Sequence, residues 1–224
     1  MHQNEIDVLG LKIMEPMVAF SDLVITAVCF YFFLMMRKKT IKNSGFQWFR
    51  MYFFLMGLAI LCGGLLGHAF LYAFSFNAKL FGWVLSCISN FLLQRAAIEY
   101  ISPRIQKKVY FGINIFNILL CIIMIVLVLV PSTSGLQWVL LHTGLSLIGY
   151  VLPVFVYSWF VHRIKGSLWI VGAVTWAILT GIVNAANINL HQWFNHYVLA
   201  HVLMTIFFII LYRGVILVNE SEKQ

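Results

Sequence analysis

The sequence predicts an all-α integral membrane protein in which seven transmembrane helices form a single domain over residues 1–224. Hydrophobic residues make up 62% of the chain and charged residues only 10%, which is more apolar surface than a water-soluble domain of this size can bury. Seven apolar stretches follow one another, each near the roughly 20 residues that cross the hydrocarbon of a bilayer. Basic residues are concentrated in alternate loops, as in multi-pass membrane proteins.

Short loops separate the seven spans. The loop "SFNAK" joins spans 2 and 3, and "PSTSG" joins spans 4 and 5, so the helices on either side of each loop should pack antiparallel. No polar segment is long enough to fold as a second domain. The predicted spans are residues 17–36, 49–74, 80–100, 109–130, 137–160, 167–187 and 196–217.

The loop charges predict the orientation of the bundle. Loops 1–2, 3–4 and 5–6 are basic, whereas the interhelical loops of the opposite side contain Lys79 and no other Lys or Arg. Because basic residues collect on the cytoplasmic side, we predict an outside N-terminus and a cytoplasmic C-terminus. We therefore interpret the net charge of +8 as a topology signal in a lipid bilayer, not as a nucleic-acid surface, and expect the cell membrane if the source is prokaryotic. The basic loop residues are Arg37, Lys38, Lys39, Lys42, Arg104, Lys107, Lys108, Arg163 and Lys165.

Four titratable residues fall at one predicted depth. Asp22 lies in span 1 without an oppositely charged residue one helical turn away, and His68 lies near the outer end of span 2. His142 and His201 lie near the outer beginnings of spans 5 and 7. At 1.5 Å per residue, all four come out roughly 8 Å below the outer boundary. Since a buried polar group costs several kcal/mol unless it is satisfied, we expect these side chains to meet in a functional layer.

A zinc site would explain this layer. Three imidazoles with a carboxylate or water form a tetrahedral Zn²⁺ site with an exchangeable position, and such an ion promotes the hydrolysis of amides and esters. We consider His68, His142, His196 and His201 as candidate ligands and Asp22 as the general base. The five residues from His196 to His201 turn a helix by about 140° net, so both bind one ion only if the helix start is irregular or His196 precedes it.

The histidine near the end of span 2 and the histidines at the start of span 7 resemble those of the alkaline ceramidase and adiponectin-receptor superfamily of seven-span membrane zinc hydrolases. The stretch "EPMVAFSDLVITAVCFYFF", residues 15–33, is similar to the ceramidase sequence at the start of span 1. The resemblance implies that His68 and His201 are metal ligands. The chain differs from the superfamily pattern where Gly64 replaces a serine, where Tyr197 replaces the first histidine of an HxxxH pair, and in span 3, which has no aspartate.

These observations predict a zinc-dependent hydrolase whose substrate, a lipid amide or ester, enters sideways from the membrane. A non-catalytic protein is the alternative. It could bind haem through His68 and either His142 or His201, carry protons through Asp22 and the histidines in a coupled transporter, or bind lipid without any metal. A retinal protein would need a lysine in span 7, and this span has none.

Overall fold

The computed structural model describes residues 5–221, most of which lie in seven long helices. Within this range, seven helices are long and apolar enough to cross a membrane. The predicted fold class, an all-α seven-helix bundle of a multi-pass membrane protein, is thereby confirmed, while the orientation of its termini stays a prediction. The helices are α1 Pro16–Arg37, α2 Ser44–Ala69, α3 Asn77–Arg104, α4 Lys107–Leu129, α5 Leu136–His162, α6 Lys165–Ala185 and α7 His196–Ser221.

Local sequence signals set where several helices begin. Pro16 is the first residue of α1, where its missing N–H costs no helical hydrogen bond. The Asn43 side chain accepts a hydrogen bond from Gly45 N at 2.6 Å and caps α2. In the same way, Asn195 Oδ1 accepts from Val198 N at 3.1 Å and caps α7.

A β-hairpin precedes α1 and was not among the predicted elements. Its strands, β1 Glu5–Val8 and β2 Leu11–Met14, pair antiparallel. The turn between them contains Gly10 with φ +81°, and Asp7 Oδ1 accepts a hydrogen bond from Gly10 N at 2.8 Å. After β2 the backbone turns into α1 at Glu15, which has φ +46°. Glu15 is the N-cap residue of α1, and its carbonyl accepts a hydrogen bond from Ala19 N at 3.0 Å.

Aromatic side chains pack α1, α2 and α7 together. The rings of Phe32 and Tyr212 stack with centroids 4.1 Å apart. Phe53 contacts Phe32 edge-on at 5.7 Å and approaches Phe208 at 6.0 Å. Since such ring pairs contribute about 0.5–1.5 kcal/mol beyond their burial, they fix these three helices relative to one another. The same three helices carry the candidate site.

Two glycines allow α6 and α7 to approach closely. A Cβ on Gly166 would lie 2.5 Å from Val218 N, and a Cβ on Gly214 would lie 2.6 Å from Ile170 Cγ1. No side chain fits at either position without moving backbone or a branched neighbour. Small residues serve the same purpose at many membrane helix contacts, where packing provides much of the association energy.

Two of the described helices contain a π-helical segment. One covers Gly63–Ala69 at the end of α2 and includes His68. The other covers Leu145–Val151 within α5 and includes Ser146. A π-helical turn shifts the side chains that follow it relative to an α-helix, and such turns are frequent at functional sites. Each of the two segments borders one of the polar side-chain groups described below.

Candidate functional site

Five polar side chains meet beside the hairpin, where α1 and α7 begin and α2 ends, and we call them the His–Asp site: Glu15, Ser21, Asp22, His68 and His201. Asp22 lies at the centre. Its Oδ1 is 3.5 Å from His201 Nδ1, and its Oδ2 is 4.0 Å from His68 Nε2. Two of the predicted ligands and the predicted base are thus neighbours in the structure.

Asp22 has an unsatisfied oxygen in a tightly packed position. The residue is 6% exposed, and its Oδ2 is buried without a hydrogen-bond partner among the described residues. Gly64 provides the space for this carboxylate, because a Cβ at that position would lie 2.7 Å from the Asp22 Cβ. A buried carboxylate oxygen with unused lone pairs is able to accept a proton or bind a cation.

The tautomer of His68 follows from its partner. Its Nδ1 lies 2.5 Å from Glu15 Oε2, and an ionised carboxylate only accepts hydrogen bonds. Nδ1 therefore carries the proton and donates it to Glu15. In the neutral imidazole the lone pair is then on Nε2, the nitrogen that faces Asp22.

The tautomer of His201 follows from a similar argument. Ser21 Oγ donates its one proton to Val18 O at 2.7 Å. The same Oγ lies 2.8 Å from His201 Nδ1, so it accepts there and Nδ1 donates. The lone pair of neutral His201 is then on Nε2. Both histidines of the site are thus held in the same tautomer, by two different oxygen acceptors.

Glu15 and Ser21 are site residues that the sequence argument did not identify. Glu15 precedes the predicted span 1, residues 17–36. However, it lies seven residues before Asp22, and residues spaced by two helical turns share one face. That spacing was the signal available for Glu15. Ser21 had no comparable signal beyond its position next to Asp22.

A contact between α2 and α3 shows the depth at which the His–Asp site lies. Ser89 Oγ donates to Tyr52 O at 3.3 Å, and α2 and α3 are antiparallel. Gly64 lies twelve residues after Tyr52 in α2, and Asn77 lies twelve residues before Ser89 in α3. Gly64, and with it the His–Asp site, is therefore level with the beginning of α3.

His142 lies deeper than this site. Asn90 Nδ2 donates to Thr143 Oγ1 at 2.9 Å, which places His142 level with the middle of α3. Counted along α3, it is about twelve residues deeper than Asp22, or roughly 18 Å at 1.5 Å per residue. The expected single layer therefore does not hold for His142. The reason is that α5 begins well below the plane in which α1, α2 and α7 carry the site.

His196 also stays outside the site, at the half-buried first residue of α7. Its backbone N and its ring Nδ1 lie 2.9 and 3.0 Å from Asn189 Oδ1, so the ring is directed to the preceding loop. The next residue, Tyr197, has its ring 6.3 Å from that of His68. Where the superfamily pattern has a histidine, this chain thus places a phenol beside the site. Of the four histidines predicted as ligands, the structure brings together His68 and His201.

These positions show how well a zinc ion would fit the His–Asp site. Among residues 5–221, no group of three or more His, Cys, Asp or Glu side chains is already placed to hold one ion. Two ligands of a tetrahedral zinc ion are roughly 3.3 Å apart, whereas His68 Nε2 and Asp22 Oδ2 are 4.0 Å apart. The donor chemistry fits in part, since the Nε2 lone pair of neutral His68 faces the unsatisfied Asp22 Oδ2, whereas His201 approaches Asp22 Oδ1 through its protonated Nδ1. A small inward movement of His68 would be needed to close the site around an ion.

The comparisons with known proteins give one result. The sequence model of a family of unknown function, DUF6962, matches residues 17–220. This range spans all seven helices and contains Asp22, His68 and His201, while Glu15 lies two residues before it. No curated protein and no solved structure matches the chain. The functional argument therefore depends on the geometry of the His–Asp site.

Proposed function

We propose a function for this chain from its His–Asp site, because the chain belongs to a family of unknown function, DUF6962. The proposed protein is a metal-dependent membrane hydrolase, with Zn²⁺ as its metal and an amide or ester of a membrane lipid as its substrate. The observation that carries the proposal is the shared tautomer of His68 and His201, both of which donate from Nδ1 and keep a lone pair on Nε2. This is the form in which imidazole binds a metal.

The residues of the site have distinct roles in this proposal. His68 and His201 would hold the ion, which supplies Lewis-acid polarisation of a carbonyl and a lower pKa for a water molecule. Glu15 fixes the orientation of the His68 ring through Nδ1–H, and Ser21 does the same for His201. Metal-binding histidines nearly always have such a second partner, and a carboxylate partner also raises the basicity of the ring.

Asp22 is the proposed general base. Its Oδ2 is buried and has no partner in the described part of the chain, so its lone pairs are available to take a proton from the attacking water. Its Oδ1 lies 3.5 Å from the protonated Nδ1 of His201, which stabilises the carboxylate charge. One side chain would therefore both accept the proton and remain fixed between the two histidines.

A membrane lipid is the proposed substrate because of what surrounds the site. Phe20 and Leu23 flank Ser21 and Asp22 in α1, and they are 60% and 43% exposed on the outside of the bundle. Apolar side chains at this depth face hydrocarbon if the helices span a bilayer. The His68 side chain is 26% exposed, so the site is open at its α2 edge. The polar head of a lipid could reach the histidine there.

Lipid hydrolysis by the purified full-length chain tests the proposal. Reconstituted protein would be incubated with fluorescent amides and esters of membrane lipids, before and after chelation and after zinc is returned. We expect fatty-acid release that chelation abolishes and zinc restores, and that is absent in His201→Ala. His196→Ala is the matched control and should retain activity, since His196 lies outside the site. Zinc-loaded protein that releases no fatty acid from either lipid class would overturn the proposed reaction.

One observation favours a second candidate, a proton-carrying protein. Glu15, His68, Asp22 and His201 form a continuous series of neighbouring ionisable side chains, as proton relays in membranes do. This candidate predicts proton movement across liposome membranes that needs Asp22 and no bound zinc. The geometry disfavours haem, because the Asp22 carboxylate stands between the imidazoles where the iron and its porphyrin would have to lie.

A further inference from the structure

A second group of buried polar side chains lies between α3, α4 and α5, and we call it the amide cluster: Asn90, Gln94, Asn114, Asn117 and His142. Asn114 is 8% exposed and the other four are 0% exposed. The His–Asp site uses none of them. Polar groups inside a membrane bundle are costly unless they find partners, and Asn, Gln and His side chains usually find them on neighbouring helices.

Contacts between the helices bring the cluster to one depth. Cys121 Sγ lies 3.9 Å from Cys87 O, and α3 and α4 are antiparallel, so Asn117 of α4 is about level with Asn90 of α3. The hydrogen bond from Asn90 to Thr143 brings α5 to the same level. Three helices therefore direct fully buried polar side chains into the middle of the bundle.

The amide orientation of Asn90 is determined by its partner. Thr143 Oγ1 donates its one proton to Val139 O at 2.9 Å. It therefore accepts from Asn90 Nδ2, which lies 2.9 Å away. The nitrogen of the carboxamide is thus identified, and the remaining atom is Oδ1. This oxygen is buried and has no hydrogen-bond partner within residues 5–221.

Two further carboxamides are oriented in the same way. Ser146 Oγ donates to His142 O at 2.7 Å and accepts from Gln94 Nε2 at 2.8 Å. Asn114 Nδ2 donates to Tyr110 O at 2.8 Å. Gln94 Oε1 and Asn114 Oδ1 are then oxygens, and neither has a partner in the described chain. The cluster therefore contains three oriented and unsatisfied amide oxygens, in addition to Asn117 and His142, whose side-chain atoms are also unsatisfied.

The unsatisfied oxygens indicate what the cluster would bind. An occupant that brings positive charge or hydrogen-bond donors would satisfy them. Water is the competing occupant, because each oriented amide nitrogen carries a second N–H, and Asn117 Nδ2 and the His142 ring nitrogens also have no partner within residues 5–221. The cluster contains no carboxylate, whose charge divalent cations usually require. We propose that the amide cluster is a binding site for a monovalent cation, Na⁺, held by carboxamide oxygens.

The second π-helical segment supports this placement. It covers Leu145–Val151 and includes Ser146, the residue that orients the Gln94 amide. In an α-helix the Ser146 side chain would point in a different direction relative to the rest of α5. The π-helical turn beside the amide cluster parallels the one that carries His68 at the His–Asp site, and π-helical turns are enriched at functional sites.

Unfolding of the purified full-length chain at equal ionic strength in NaCl, KCl and choline chloride tests the cation site. A ligand that binds only the folded state raises its stability with a saturable concentration dependence. We expect such an increase with NaCl and not with choline chloride. Gln94→Met keeps the side-chain length and removes one oxygen, and it should weaken the apparent Na⁺ affinity by about tenfold or more. Gln137→Met, the same change at an exposed glutamine of α5, should leave the affinity unchanged.

Equilibrium binding of radioactive Na⁺ to the wild-type protein provides a measurement that does not depend on how well a variant folds. We expect saturable binding that Asp22→Asn does not alter, because Asp22 belongs to the other site. Absence of saturable binding would show that the cluster holds only water, and an unchanged affinity in Gln94→Met would place the cation elsewhere; either result refutes the proposal. Loss of binding in Asp22→Asn would place the cation at the His–Asp site and also refute the proposal.

Discussion

Gly64 and Asp22 pack so closely that a methyl group at position 64 would lie 2.7 Å from the Asp22 Cβ. The Asp22 carboxylate of α1 therefore occupies space that only a glycine at position 64 leaves open. In the proposed site, α1 supplies the carboxylate and Gly64 of α2 makes room for it.

Gly64→Ala tests this relationship. The added methyl group must displace Asp22, and a misplacement of about 1 Å at a reacting group lowers turnover by roughly 10²-fold. We expect such a loss of lipid hydrolysis while the protein still elutes as folded material in size-exclusion chromatography. Gly63→Ala is the control, since a Cβ at Gly63 meets no atom within 4 Å. Full activity in Gly64→Ala would show that the position of Asp22 does not matter.

Glu15→Gln tests the second partner of His68. The glutamine oxygen still accepts a hydrogen bond from Nδ1, but the charge that makes the ring more basic is lost. Changes of this kind lower metal affinity or activity by about 10–100-fold. We expect the zinc affinity of Glu15→Gln, measured by competition with a chelator, to fall by a factor in this range. Glu5→Gln removes a carboxylate that pairs with Lys12 in the exposed hairpin and should have no effect. Equal zinc affinities in the two variants would remove Glu15 from the site.

Asp22→Asn separates metal binding from catalysis. The asparagine keeps the shape of the side chain and loses its basicity, so we expect zinc to remain while turnover falls by about 10²–10⁴-fold, as is typical when a general base is lost. Zinc content and the rate of fatty-acid release, measured on the same preparation, would check this. Normal turnover with bound zinc would mean that Asp22 is structural and that another group accepts the proton.

The orientation of the bundle is a separate prediction. Nine basic residues lie in or beside loops 1–2, 3–4 and 5–6, whereas Lys79 is the one basic residue of the sequence in or beside the interhelical loops of the other side. A reporter fused after Gln224 should therefore be cytoplasmic. A fusion that is active only outside the cytoplasm would reverse the topology and place the His–Asp site in the cytoplasmic half of the membrane.

The seven helices could be predicted from the sequence because the transfer of an apolar segment into hydrocarbon depends mainly on that segment. His68, His201 and Asp22 could also be grouped, because α1, α2 and α7 carry them at similar distances from their ends. His142 could not be placed in the same way. Its depth depends on where α5 begins relative to α3, and tertiary packing sets that level. The two π-helical segments depend on the same packing and left no local signal.

The zinc content of the purified protein tests the central claim most directly. Elemental analysis would compare the wild type with His201→Ala, and with His142→Phe and His196→Ala as controls at histidines that the structure places outside the site. The proposal predicts about one zinc ion per chain in the wild type and in both controls, and little in His201→Ala. A wild-type protein that retains no zinc after incubation with excess ion, or a His201→Ala variant that retains as much as the wild type, would contradict it.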